Sequence, residues 1–198
     1  MTNAQSAPKP GLRALTRASV RDQVADVALQ LFDENGFDET TVDDISLAVG
    51  ISARSFFRYF PAKEDVVIHD PEPIGVLVRN AVSARPADEP IWTALRHGFE
   101  ALGAMDSDDI PRNLRIMRVM MSTASLRARN LEKHIIWADM LEPVVVERLG
   151  GSDQAFRAHT LIHAALACFD VALAEWTHRG GSTPVQELLD EAFATVTG

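Results

Sequence analysis

Cysteine occurs once in these 198 residues, at Cys168, so no intramolecular disulfide can form. Long apolar runs are also missing: no window holds 18 uninterrupted apolar residues, and the richest segment, Leu161 to Phe169, is short and includes His163. A membrane span is therefore not expected. The first 20 residues lack the apolar core of a signal peptide, so the expected compartment is the cytoplasm. There is no Gly-rich phosphate loop, no dinucleotide fingerprint and no His-Glu-x-x-His word. His159 and His163 lie four apart and could face a metal from one helix, with His134 or Cys168 as further ligands. No compact third and fourth ligand pattern accompanies them, so they read as ordinary surface or interface histidines, and Cys168 as a packed, inert thiol. No catalytic site, metal or cofactor is expected, and the chain does not read as an enzyme.

What is present is a 46% apolar fraction, enough for a substantial core, and a formal charge of -9 from 28 acidic and 19 basic residues. From Met1 to Asp65 the chain carries seven Lys or Arg and ten Asp or Glu, a local net charge of -3. That balance disfavours indiscriminate coating of nucleic acid but permits a sequence-specific reader whose basic residues share one surface. Lys9, Arg13, Arg17 and Arg21 precede or open the first helix; Arg54, Arg58 and Lys63 surround the segment considered next.

Residues Thr41 to Phe60 read as two short helices joined by a tight turn. Thr41 followed three residues later by Asp44 has the form of an acidic capping box, starting a helix near Val42 that turns Val42, Ile45 and Val49 to one face. Gly50 suits a left-handed turn and Ser52 caps the second helix. Phe56 and Phe60, four apart, point inward, and Pro61 stops the helix. Ala53, Arg54, Phe57 and Arg58 are then presented elsewhere, as suits a helix lying in a major groove.

From Arg21 to Asp65 the chain resembles the DNA-binding domain of the tetracycline-repressor (TetR) family of transcriptional regulators. The words that carry the resemblance are ALQLFDENGF (28–37), TTVDDI (40–45), GIS (50–52) and FFRYFPAKED (56–65), in matching order and spacing. It implies an all-α homodimer that binds a palindromic double-stranded DNA operator and, in most members, is released by a small ligand bound in the C-terminal domain; for this chain repression and a small hydrophobic or amphipathic effector are expected. It also places Lys63 on phosphate at the start of a fourth helix, and Thr41 could similarly use its amide or hydroxyl; the exposed side of the second short helix adds Ser52, Ala53, Arg54, Phe57, Arg58 and Tyr59 as expected DNA contacts, with Arg54 chiefly at a base edge. The chain departs from the family pattern with Phe57 at a frequent tyrosine position, Arg58 at a frequent aromatic one and Tyr59 at a common histidine one.

Around this module the expected organisation is a flexible arm over 1–14, a helix-turn-helix domain over 15–69 that includes the start of helix 4, and a larger helical domain over 70–198 for effector binding and dimerisation. Helix 1 is expected from Thr16 to Asn35, packing Val24, Ala28, Leu31 and Phe32. Asp70-Pro71-Glu72-Pro73 is expected to interrupt helix 4 or convert it into two pieces, and to be the hinge region between modules. Further helices are drawn over Pro90–Met105, Pro111–Ser122, Leu126–Leu149, Asp153–His178 and Pro184–Val196, with no competing strand pattern.

The last two helices offer Ala164, Ala165, Cys168, Val171 and Ala172, then Leu188, Leu189, Ala192, Phe193 and Val196, as a dimer interface or as one monomer's core. Large apolar side chains at Trp92, Leu95, Phe99, Met117, Met121, Trp137, Met140 and Leu141, with Arg118 and His134 as polar selectors, are candidates for an effector pocket. The alternative from another class is a helical ligand-binding or protein-interaction module with no operator.

Overall fold

A computed structural model describes residues 12–68, 70–103 and 109–198, and these are helices and connecting turns without a strand. Contacts divide the chain into two compact units at Val66–Val67.

The first unit holds α1 (Leu12–Asn35), α2 (Val42–Val49), α3 (Ala53–Tyr59) and a single 3-10 turn, Lys63–Val66. α1 begins at Leu12, so the last residues of the expected arm are helical; Lys9 lies outside the described residues. Val24, Ala28 and Phe32 are buried as their spacing requires, joined by Ala25 and Leu29, whereas Leu31 is only half-buried. Gly36 ends α1 in the left-handed region at φ 93, and Thr40 ties the following turn back by donating its hydroxyl to Gly36 O at 2.8 Å. α2 starts on a complete capping box between Thr41 and Asp44, and buries Ile45 fully while Val42 and Val49 stay half-buried. Gly50, at φ 76, sends the chain sharply into α3, whose Phe56 and Phe60 are both fully buried.

The second unit contains α4 (Pro71–Ser83), α5 (Ile91–Gly103), α6 (Ile110–Ser122), α7 (Ala124–Arg148), α8 (Gln154–His178) and α9 (Val185–Thr197). Asp70-Pro71-Glu72-Pro73 starts a helix here and interrupts none. Asp70 accepts the Glu72 amide at 3.1 Å, and Pro71 at the first helical position sacrifices an N–H that would have lacked a helical partner. The 3-10 turn at Lys63 and α4 are therefore separate elements, not one helix with a break. The expected end of a helix at Met105 lies outside the described residues.

α8 is the described helix long and apolar enough, by length and composition, to cross a membrane. Eight of its residues are buried, among them Ile162, Leu166, Phe169 and Trp176, because α7 and α9 pack along it. Arg148 at the end of α7 donates to the carbonyls of Val82, Arg85, Pro86 and Glu89 and so holds the turn between α4 and α5. α4 meets α7 at a glycine. A Cβ on Gly75 would lie 2.9 Å from Trp137 Cδ1 and 2.6 Å from Met140 Sδ, and the Trp137 ring is fixed because its indole N–H donates to Pro71 O at 2.8 Å.

Alanine at a helical glycine ordinarily gains about 1 kcal/mol, while overpacking a filled core costs about 1–3 kcal/mol. With an anchored indole in the way the second effect is expected to win. Gly75→Ala should shift the urea unfolding midpoint downward; an upward shift would show that the indole yields.

Candidate DNA-binding, effector and dimer surfaces

α3 has one side locked and one side presented. Its N-cap, Ser52, accepts the Ser55 amide at 3.2 Å and donates to Ser55 Oγ at 3.0 Å, so this hydroxyl is engaged in the helix start. Phe56 packs edge-on to Phe57 at 5.6 Å and against Phe60 at 5.4 Å, which fixes the helix's rotation. Arg54, Phe57 and Arg58 are then exposed, with Phe57 53% accessible, while Ala53 and Tyr59 are half-buried at the edges. Arg54 has no hydrogen-bond or ion-pair partner among the described residues. Arg58 instead lies over the Tyr59 ring at 5.1 Å and donates to its hydroxyl at 3.3 Å. Arg17, which sequence reasoning noted only as a basic residue, donates from α1 to Arg58 O at 3.1 Å and braces the end of α3. No local spacing reveals that contact, since 41 residues separate the two.

Thr41 and Lys63, both expected at phosphate, are engaged internally. The Thr41 hydroxyl accepts the Asp44 amide at 3.1 Å and donates to the Asp44 carboxylate at 2.6 Å, and the Thr41 amide donates to the same oxygen at 2.9 Å. The hydroxyl first, and then the amide, hold the Asp44 carboxyl below its ordinary value. The Lys63 ammonium donates to Phe37 O at 2.6 Å and Thr40 O at 2.9 Å, and lies 4.2 Å from the centre of the Phe37 ring.

The residues expected around an effector do not form one pocket. Leu95, Phe99, Trp137 and Leu141 are core residues of the second unit, with Phe99 stacked on Phe169 at 5.1 Å. Met140 packs toward Gly75, whereas Met121 and Arg118 are exposed. Trp92 donates its indole N–H to Phe193 O at 3.2 Å and packs on the Phe193 ring at 4.6 Å, joining α5 to α9. Trp92 also lines a cleft of about 460 Å³ with Arg96, His97, Asp190 and Phe193, and a separate cavity of about 530 Å³ opens between α6, α8 and the start of α9. Ile74, Leu102, Met117, Phe169, Leu173 and Trp176 give it apolar walls, and Arg112, Asn113 and Gln186 add polar atoms. Of the expected set only Met117 belongs to it. Its walls come from elements distant in sequence, so helical spacing within one segment could not have identified them.

The expected dimer face divides in the same way. Ala165, Leu189 and Phe193 are buried inside one chain, and Ala172 and Leu188 are buried too while also lining the groove described next. Ala164, Cys168, Val171, Ala192 and Val196 line an α8–α9 groove of about 920 Å³, with Val171 and Val196 more than half exposed. Cys168 lies at the groove floor, its thiol donating to Ala192 O at 3.6 Å and pushed up by burial. The rings of His159 and His163 lie 4.4 Å apart, but no cluster of three or more metal-ligating side chains exists among the described residues.

His134, expected to select a ligand, is buried in the α7–α8 seam with Nδ1 3.4 Å from Asp170 Oδ2. Burial foremost, then the charges of Lys133 and His163, push it down to about 3, so it is neutral at physiological pH. Lys133 lies over the Trp137 ring at 4.6 Å and is pushed down to about 8 by desolvation, against the pull of Asp170. Its charged form is disfavoured on folding, so the unfolded chain binds more protons between pH 8 and the lysine's ordinary value, 10.5. Stability from this group should therefore rise with pH through that window, and Lys133→Met should flatten the rise. Urea titrations of both proteins at pH 7.5, 9 and 10 check this, and parallel pH curves would remove Lys133 as the cause.

Residues 24–69 match the family described as bacterial regulatory proteins, tetR family, and residues 89–198 match the MftR C-terminal domain. The chain is 29% identical over 182 residues to MftR of Mycobacterium tuberculosis, whose name assigns it to transcriptional regulation of mycofactocin biosynthesis; the match covers 91% of this chain and 90% of that one. It is 30% identical over 191 residues to the HTH-type transcriptional regulator TcmR of Streptomyces glaucescens, covering 93% and 84%. In fold it is similar to FadR of Thermus thermophilus, a TetR-family transcriptional repressor solved with lauroyl-CoA, at a TM-score of 0.55 and 22% identity over 88% of this chain and 91% of that one. With a C-terminal match spanning more than half of its length and a helix-turn-helix of this geometry, the chain belongs to the tetR family of DNA-binding bacterial transcriptional regulators.

Proposed function

We propose that this protein is a cytoplasmic, non-enzymatic repressor that binds a palindromic operator as a homodimer and leaves it when a small amphipathic effector binds. The observation that carries the reading is α3: its buried phenylalanines fix its rotation, and Arg54, Phe57 and Arg58 are thereby held outward. Arg54 is assigned the base edge, because its fork matches the two acceptors of a guanine. Arg58, leaning on Tyr59, is assigned with it to the backbone. Ala53 and Phe57 suit apolar contact with sugar or a thymine methyl, and Ser52 is left mainly with capping.

Pairing through the α8–α9 groove is supported by its shape and chemistry. Small side chains form the groove, Val171 and Val196 project from it, and Glu175, His178, Arg179 and Glu191 supply a polar rim. Two α3 helices on one dimer select a half-site spacing that one short helix cannot. The effector is assigned to the 530 Å³ cavity, whose apolar walls and polar edge at Arg112 suit a molecule with an apolar body and a polar end. The lauroyl-CoA bound by the T. thermophilus FadR has that character. Release requires that the effector bind the DNA-incompetent conformation more tightly than the competent one. Val67, the first residue of this unit, forms part of the cavity wall, so filling the cavity acts on the chain where the unit begins.

Selection of duplexes from a randomised library should give one palindromic motif for the wild type. Arg54→Ala should lose about 1–3 kcal/mol on that motif and relax its preference at one position per half-site; an unchanged motif with uniformly weaker binding would move Arg54 to phosphate. Failure of the folded wild type to select any motif would favour a helical module without an operator. Val171→Glu places a charge in the proposed seam and should weaken dimerisation by roughly tenfold or more, about 1.4 kcal/mol, in equilibrium sedimentation. Equal dissociation constants would place the dimer interface elsewhere.

A further inference from the structure

We infer that Arg17 is a further DNA contact: its guanidinium, held at the last turn of α3, meets a backbone phosphate at the rim of the major groove. A helix leaves its final carbonyls without partners of its own, and α3 ends at Tyr59. One of those carbonyls, Arg58 O, accepts from Arg17 Nη2 at 3.1 Å. A cation is favoured at this end of a helix dipole. The contact therefore anchors a side chain that is otherwise exposed. A guanidinium carries five N–H donors in a planar fork, and the carbonyl engages one of them. No carboxylate pairs with Arg17 among the described residues, so its charge is not cancelled within the first unit.

The placement of α1 gives that charge its direction. At 3.6 residues per turn, Arg17 and Arg21 fall on the same side of α1 as the buried Val24 and Ala28, within an arc of about 60°, while the exposed Asp22 and Asp26 fall on the far side. The Arg21 guanidinium lies 5.2 Å from the centre of the Phe60 ring, just past the end of α3, and Arg17 sits one turn earlier on Arg58 O. The start of α1 is thus applied to the end of α3 by two successive arginines. Arg58 is the basic residue of that last turn, and Arg54 stands exposed one turn before it. Like charges brought to one helix end repel, and an anion shared between them relieves the repulsion. The major groove admits one helix; with α3 in it, α1 stands over the bordering strand, where phosphates and not base edges are within reach. Arg17 thereby adds affinity without adding sequence preference.

The inference rests on operator binding through α3, so the first step is selection of a duplex by the wild type. If the folded protein selects none, that reading fails and this one with it. On the selected, fluorescein-labelled duplex, affinity is then measured between about 50 and 200 mM potassium chloride for wild type, Arg17→Gln and Arg17→Lys. Glutamine retains an N–H donor without the charge, and lysine retains the charge. Arg17→Gln should weaken binding roughly tenfold, as loss of a charged hydrogen bond does. A dimer on a palindrome carries two copies of Arg17, so the slope of log K against log salt should become shallower by about 1.8. Arg17→Lys should stay near the wild-type slope, and both variants should select the wild-type motif. A wild-type slope for Arg17→Gln, however weak its binding, would overturn the inference and leave Arg17 as a brace alone. A changed motif would overturn it too, by making Arg17 a base reader. Circular dichroism establishes folding, and if Arg17→Gln melts below the assay temperature, Arg17→Met carries the same slope measurement.

Discussion

The burial of α8 is the constraint on which the rest of the second unit depends. One face supplies Ile162, Leu166 and Phe169 to the core, where Phe169 stacks on Phe99 of α5. The same helix lends Phe169, Leu173 and Trp176 to the cavity and Ala164, Val171 and their neighbours to the groove shared with α9. Because these surfaces share one rigid rod, a ligand that shifts α8 in the cavity moves the groove by the same displacement.

The first unit is organised by a different device. α2 and α3 are too short to be stable alone, and three of their ends are closed by named hydrogen bonds: Thr41 with Asp44, Ser52 with Ser55, Arg17 on the last turn of α3. Phe56 and Phe60 then remove rotational freedom from α3. Such a reader needs little charge excess, because its exposed cations share the presented side of α3; this reconciles a net charge of -3 over residues 1–65 with DNA recognition. Arg54 and Arg58 make the point as a pair, one without a partner among the described residues and the other leaning on Tyr59.

Lys63 and Trp92 show how residue type and environment part company. Two backbone carbonyls from residues more than twenty positions earlier accept from the Lys63 ammonium, contacts that no local spacing reveals. A tryptophan at helical spacing among other large apolar side chains suggests a pocket wall, and Trp92 does line a cleft, but with Phe193 from the far end of the chain. Phe193 had been a candidate for a second chain. In both cases the competitor for the side chain lies within the same molecule but distant in sequence.

The sequence by itself determined the helical class, most of the helix starts and stops though not those of α1 and α4, and the module that meets DNA, because these rest on interactions within a few residues. Capping at Thr41 and Ser52, the left-handed turn at Gly50 and the four-residue spacing of Phe56 and Phe60 are local, and they are where the residues said they would be. Most of the later helix bounds agree within a few residues for the same reason, as with α6 at Ile110–Ser122 and α8 at Gln154–His178. Only the tertiary structure decided which apolar side chains became core, cavity or groove. Leu95, Phe99 and Leu141 carry the same pattern as Met117, but burial is settled by which helix lies opposite, and that partner is chosen by packing over the whole unit.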